Sequence, residues 1–62
     1  MRKYWQVIVQ EHPKLGTSYR YGLLWADKKP RDRVRVLPTH TIITTYHSTP
    51  AEMNARICEV CR

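Results

Sequence analysis

The sharpest boundary in this sequence is Thr49-Pro50-Ala51-Glu52. It has the form of a capping box: a threonine hydroxyl placed to accept from a backbone N–H, a proline where its missing donor costs nothing, and a glutamate at the third helical position. A helix over residues 50–61 is expected to follow, with Met53, Ile57, Val60 and Cys61 as its apolar stripe and Asn54 and Arg56 turned outward. A helix of about 12 residues does not persist alone in water, so it must dock on something.

Upstream of that boundary the chain alternates with a period of two, the repeat of a strand. Residues 4–11 place Trp5, Val7 and Val9 on one side and Tyr4, Gln6, Ile8 and Gln10 on the other. The segment 12–17 reads as a turn, because Pro13 fixes φ and Gly16 admits a positive φ. Residues 18–26 follow as a second strand and hairpin partner. Tyr19, Tyr21, Leu23 and Trp25 share one of its sides; Arg20, Gly22, Leu24 and Ala26 share the other. The pattern leaves open which side is buried, although Trp25 is expected in the core, since large aromatics dominate small cores. A polar turn at 27–32 leads to a strand at 33–37, with Val34 and Val36 inward and Arg33 and Arg35 outward. Pro38 removes a backbone donor, which suits an edge. Residues 41–46 (Thr-Ile-Ile-Thr-Thr-Tyr) have high β-propensity and read as a fourth strand or a continuation of the third.

The predicted fold is therefore a single small α+β domain over residues 1–62. It has a three- to four-stranded antiparallel twisted sheet, barrel-like as an alternative, with one C-terminal helix packed on it. A chain of 62 residues is one domain at most. Such a chain buries only ~60% of its unfolded surface, so an enclosed substrate cavity is not expected. No apolar run approaches the ~20 residues of a membrane span, and the N-terminus lacks the cleavage site of a signal peptide. An intracellular, cytoplasmic setting is expected by default, the host cytoplasm if the chain is viral. In that reducing compartment Cys58 and Cys61 are not expected to pair.

The formal net charge is +6, and the excess is concentrated. Lys28, Lys29, Arg31, Arg33 and Arg35 face only Asp32 within residues 28–35. A clustered positive field attracts phosphate or an acidic protein surface. With Tyr19 and Tyr21 on the same face, rings would lie beside guanidinium groups, a pairing that nucleic-acid binders use. In layout, charge and length the chain is similar to the seven-kilodalton archaeal chromatin proteins, small basic barrels that end in a helix. It shares no diagnostic motif with them and holds far less lysine.

Two other constellations are weighed. His40, His47, Cys58 and Cys61 make the ligand set of a tetrahedral zinc site, and zinc would staple a small core. The pair Cys58 and Cys61 sits on a predicted helix and not in a knuckle, and the His spacing fits no standard finger, so no cofactor is favoured. For catalysis there are His12, His40 and His47 with five carboxylates, but no paired-carboxylate spacing, nucleophile elbow or phosphate loop.

The expected function is thus non-catalytic binding of nucleic acid, with low sequence specificity, through Lys28, Lys29, Arg31, Arg33, Arg35, Tyr19 and Tyr21. The alternative is a protein-binding regulator or inhibitor of a larger host enzyme, of the phage or mobile-element size class. A zinc-stabilised module is a minor alternative. A homodimer is compatible with the small core and exposed edge; a membrane partner is not expected.

Overall fold

Five elements follow in chain order: β1 (Arg2–His12), β2 (Gly16–Ala26), β3 (Arg33–Val36), β4 (Thr41–His47) and α1 (Pro50–Val60). The computed structural model describes residues 1–61. The strands form one sheet in the order β2-β1-β4-β3, every neighbouring pair antiparallel. The α+β expectation holds, and the sheet is open, with β2 and β3 as its edges, so the barrel-like alternative does not apply.

β1 and β2 each run longer than their alternation suggested, until only Pro13, Lys14 and Leu15 remain between them. Two features close that turn. Gly16 takes φ of 87°, a conformation glycine adopts without a Cβ clash. His12 Nδ1 accepts from the backbone N–H groups of Lys14 (3.1 Å) and Leu15 (3.0 Å), in place of the carbonyls a tight turn leaves out of reach.

The helix starts as its cap predicts. Thr49 Oγ1 accepts from the Glu52 N–H at 3.2 Å. The Glu52 carboxylate reaches back one residue further than in the usual box and accepts from the Ser48 N–H at 2.9 Å. At the far end the Cys61 N–H donates to the Ile57 carbonyl at 2.9 Å.

Antiparallel partners share a face, so the register sorts every strand residue. One face carries Trp5, Val7 and Val9 of β1, Tyr19, Tyr21, Leu23 and Trp25 of β2, Ile43 and Thr45 of β4, and Val34 and Val36 of β3. This face receives the helix: Val7 and Val9 are 0% and 1% exposed, and the Cys61 thiol lies beside the Tyr19 hydroxyl. The helix packs mainly on β1, less on β4 and β2. Fully burying a valine stabilises by about 1.5–3 kcal/mol, so the core is concentrated on the central strands.

That central placement corrects four expectations. Trp25 is 61% exposed, because β2 is an edge on which the helix packs least; the Lys3 ammonium sits 5.5 Å from its ring. Val34 and Val36 do face the helix side, yet they stand exposed on the opposite edge. Arg56 does not point outward. It is half-buried with Met53, Ile57 and Val60, its Nε is buried with no hydrogen-bond partner, and its tip is 3.5 Å from the Glu59 carboxylate. Cys61 ends the helix as an exposed C-cap instead of extending the stripe.

Because β4 lies between β1 and β3, residues 27–32 must carry the chain from one edge of the sheet to the other. Asp32 finishes the crossing by accepting from the Tyr46 N–H at 3.1 Å. Tyr4 is buried at this end of the sheet, on the face away from the helix, with Leu24 and Pro30 half-buried. We attribute the shelter of the Tyr4 ring to the crossing.

Candidate functional site

The face opposite the helix is set by the same register. It carries Arg2, Tyr4, Gln6, Ile8 and Gln10 of β1, Ser18, Arg20, Gly22 and Leu24 of β2, Arg33 and Arg35 of β3, and Ile42, Thr44 and Tyr46 of β4. All four arginines are exposed, and no strand residue of this face is acidic. The acids lie elsewhere or are engaged. Glu52 caps the helix, Glu59 pairs with Arg56 on the helix, Asp32 holds the Tyr46 N–H, Glu11 is on the helix side of β1, and Asp27 stands exposed at the start of the crossing loop beside Lys28. Among the described residues, Arg56–Glu59 is the one ion pair.

Arg33 and Arg35 are two residues apart on one edge, so their side chains emerge about 7 Å apart on the same side. Arg20 stands on the other edge, three strand spacings or about 14 Å across. Arg2 pairs with Ala26, next to the start of the crossing segment, and Arg33 follows its end. The exposed Lys28, Lys29 and Arg31 lie between those two points, so the loop adds its charge at one end of the face. The middle is mixed: half-buried Ile8 and Ile42 lie beside Gln10 and Thr44, and Gln6 Nε2 donates to the Tyr46 hydroxyl at 3.2 Å. Every large apolar strand residue that is well exposed belongs to the helix side: Tyr19, Tyr21, Leu23, Trp25, Val34 and Val36.

The structure thus brings Arg33 and Arg35 together with two arginines that the linear charge cluster did not reveal, Arg2 and Arg20. It does not bring in Tyr19 and Tyr21. Their rings stack on each other, centroids 6.4 Å apart, on the face away from Arg33 and Arg35, so the expected ring-and-guanidinium surface does not form. The cause is strand parity: the odd-numbered residues of β2 share the helix side with Val7 and Val9. Tyr19 is also held by the helix end. Its hydroxyl titrates above the ordinary tyrosine value of 10.0, chiefly through the charge of the neighbouring Cys61 thiolate, then through desolvation and a hydrogen bond to Cys61.

The zinc constellation is not assembled. His40 and His47 flank β4 at its two ends, some 23 Å apart along the strand, while Cys58 and Cys61 are free and exposed on the helix. His40 Nδ1 lies 2.8 Å from Thr39 Oγ1 and His47 Nε2 lies 2.8 Å from Thr45 Oγ1. Among the described residues no three His, Cys, Asp or Glu side chains are grouped to hold a metal ion. Two surface depressions, of about 170 and 200 Å³, are open and smaller than the ~300–1,000 Å³ of typical ligand pockets. Among the described residues no helix is long and apolar enough to cross a membrane.

Comparison with protein-family models, with curated proteins and with solved structures found no match.

Proposed function

We propose that this protein is a non-catalytic binder of double-stranded nucleic acid that docks through the open face of its sheet. The observation that carries the reading is the set Arg2, Arg20, Arg33 and Arg35 on a face whose strands hold no carboxylate. Lys28, Lys29 and Arg31 would extend the contact at one end. Arg20 stands about 14 Å across the sheet from Arg33 and Arg35, close to the ~12 Å width of a B-form major groove, so these side chains could meet phosphates on both of its sides.

Duplex is favoured over single strand because this face offers no exposed ring for an unpaired base to stack on. Specificity should be low, since phosphate contacts position a protein without reading bases. An acidic protein surface is the rival partner. The face lacks the exposed aromatic or aliphatic anchor around which protein interfaces usually concentrate their energy, and this argues for phosphate. The setting we propose is intracellular, where exposed Cys58 and Cys61 would remain thiols.

The test is fluorescence anisotropy with generic duplex across a salt series. Four to seven basic side chains should give a log-log slope of roughly −3 to −6, at ~0.9 per phosphate neutralised. No binding at low salt, or an affinity indifferent to salt, would refute the proposal and leave the acidic-protein reading.

A further inference from the structure

The two edges of the sheet are protected very differently. β3 is four residues long, carries Arg33 and Arg35, and is followed closely by Pro38. Short length, charge and proline are the usual devices that stop an edge from recruiting another strand. β2 is eleven residues long, has no proline, holds Arg20 as its one charge, and keeps an unbroken register with β1 from Gly16 to Ala26. Its outer backbone groups meet no other strand. Beside them stand Tyr21, Leu23 and Trp25, 64%, 59% and 61% exposed, in one row with Tyr19.

Gly22, near the centre of β2, has no local explanation. Its φ is not positive, no bulge interrupts the register, and a Cβ built there would meet nothing within 4 Å. Glycine inside a strand weakens it, and besides a bulge or a bend the common reason is a close approach by a ligand or by another backbone. Nothing within the chain makes that approach.

We propose that β2 pairs with β2 of a second copy about a two-fold axis through Gly22, joining two sheets into one of eight strands. An antiparallel pair on that axis sets Tyr21 against Leu23 and Tyr19 against Trp25 of the second copy, with Gly22 against Gly22. The row is therefore complementary to itself, as an isologous contact requires. Arg20 falls opposite Leu24, and the two Arg20 side chains stand about 14 Å apart, beyond a Debye length at physiological salt. The two-fold keeps both helices on one side and both basic faces on the other.

The area suits a modest dimer. Three rings of ~150–250 Å² each, roughly half exposed, offer on the order of 300 Å² per copy. With Leu23 and the strand backbone the pair would bury about 1,000 Å² in total, the lower bound for a specific interface. An interface at that bound is a weak one, so the dimer should dissociate on dilution.

The experiment is sedimentation equilibrium of the full chain over a concentration series, with circular dichroism to confirm folding. The expected mass at ~100 μM is twice 7.4 kDa, falling on dilution. Leu23→Lys should return the mass to that of one chain, while Val36→Lys, also exposed but on the guarded edge, should leave the dimer intact. Leu23 and Val36 both lie outside the buried core, so both variants should fold. In a Cys58→Ser/Cys61→Ser background, Gly22→Cys should crosslink two chains on oxidation and Ser18→Cys should not. A single-chain mass at every concentration would overturn the proposal and leave the edge to a strand from another protein. So would a dimer that survives Leu23→Lys and is lost with Val36→Lys, or one that Ser18→Cys crosslinks and Gly22→Cys does not.

Discussion

The two faces of this sheet are built from the same four strands and have almost nothing else in common. The helix side holds Val7 and Val9, the half-buried stripe of α1, and every well-exposed large apolar strand residue. The other side holds four exposed arginines around a middle of half-buried and polar residues. The helix side carries most of the core, Tyr4 being, among the described residues, the one buried residue of the other side, whose rim is left to carry charge. Like-for-like substitutions on the two faces should therefore have opposite consequences.

The largest effect is expected on the covered face. Val7→Ala removes a fully buried side chain from the middle of β1 and should cost about 2–3 kcal/mol in denaturant melts, the lost transfer energy plus a cavity term. Duplex binding of the fraction that remains folded should be unchanged. If instead the variant loses binding while its melt is unaltered, the division of labour is wrong.

Next in size is the mirror experiment. The double variant Arg33→Ala/Arg35→Ala should weaken duplex binding by roughly tenfold or more and flatten the salt slope by about two units, while stability moves within about 0.5 kcal/mol. Loss of folding here would show that these arginines have internal partners, against the absence of any ion pair to them among the described residues.

Thr49→Ala should cost about 1 kcal/mol through the lost bond to the Glu52 N–H, seen as a lower thermal midpoint. An unchanged midpoint would mean that the helix does not depend on its cap.

The smallest expected effect concerns Tyr19 at the join of helix and sheet. Its pKa is raised in the folded state, so the fold holds that proton more tightly than the unfolded chain does. The contribution to stability is complete below the unfolded value near 10 and is lost as pH climbs through the folded value. Cys61→Ala removes the first cause of the shift and should lower the Tyr19 titration midpoint, read by NMR of ¹³C-labelled tyrosine. No change would mean that the helix end does not approach β2.

Much of this was legible in the residues alone. Alternation put Arg33 and Arg35 on one side of their strand, and the capping box put the helix start at Pro50, because both are local rules. Sheet order was not legible: the placement of β4 between β1 and β3 is a choice among pairings that no local pattern encodes. That choice decides which strands become edges, and so why Trp25, Val34 and Val36 stay exposed. The side of β2 that meets the helix was equally hidden, since Leu23 and Trp25 on one side and Leu24 and Ala26 on the other are both apolar. Arg2 and Arg20 were missed for a related reason. Neither belongs to the dense run at 28–35, and they join its arginines only through the register across strands. Arg56 was misplaced because a charged residue on a short helix reads as solvent-facing, whereas its aliphatic stem can cover apolar surface.

The central claim is that the uncovered face is the one that binds. It is tested most directly by an NMR titration of ¹⁵N-labelled protein with a short generic duplex at low salt. Shifts should concentrate at Arg2, Arg20, Arg33 and Arg35 and along residues 28–31, with α1 and the exposed row Tyr21, Leu23 and Trp25 undisturbed. Shifts confined to α1 and that row, or none at all, would contradict it.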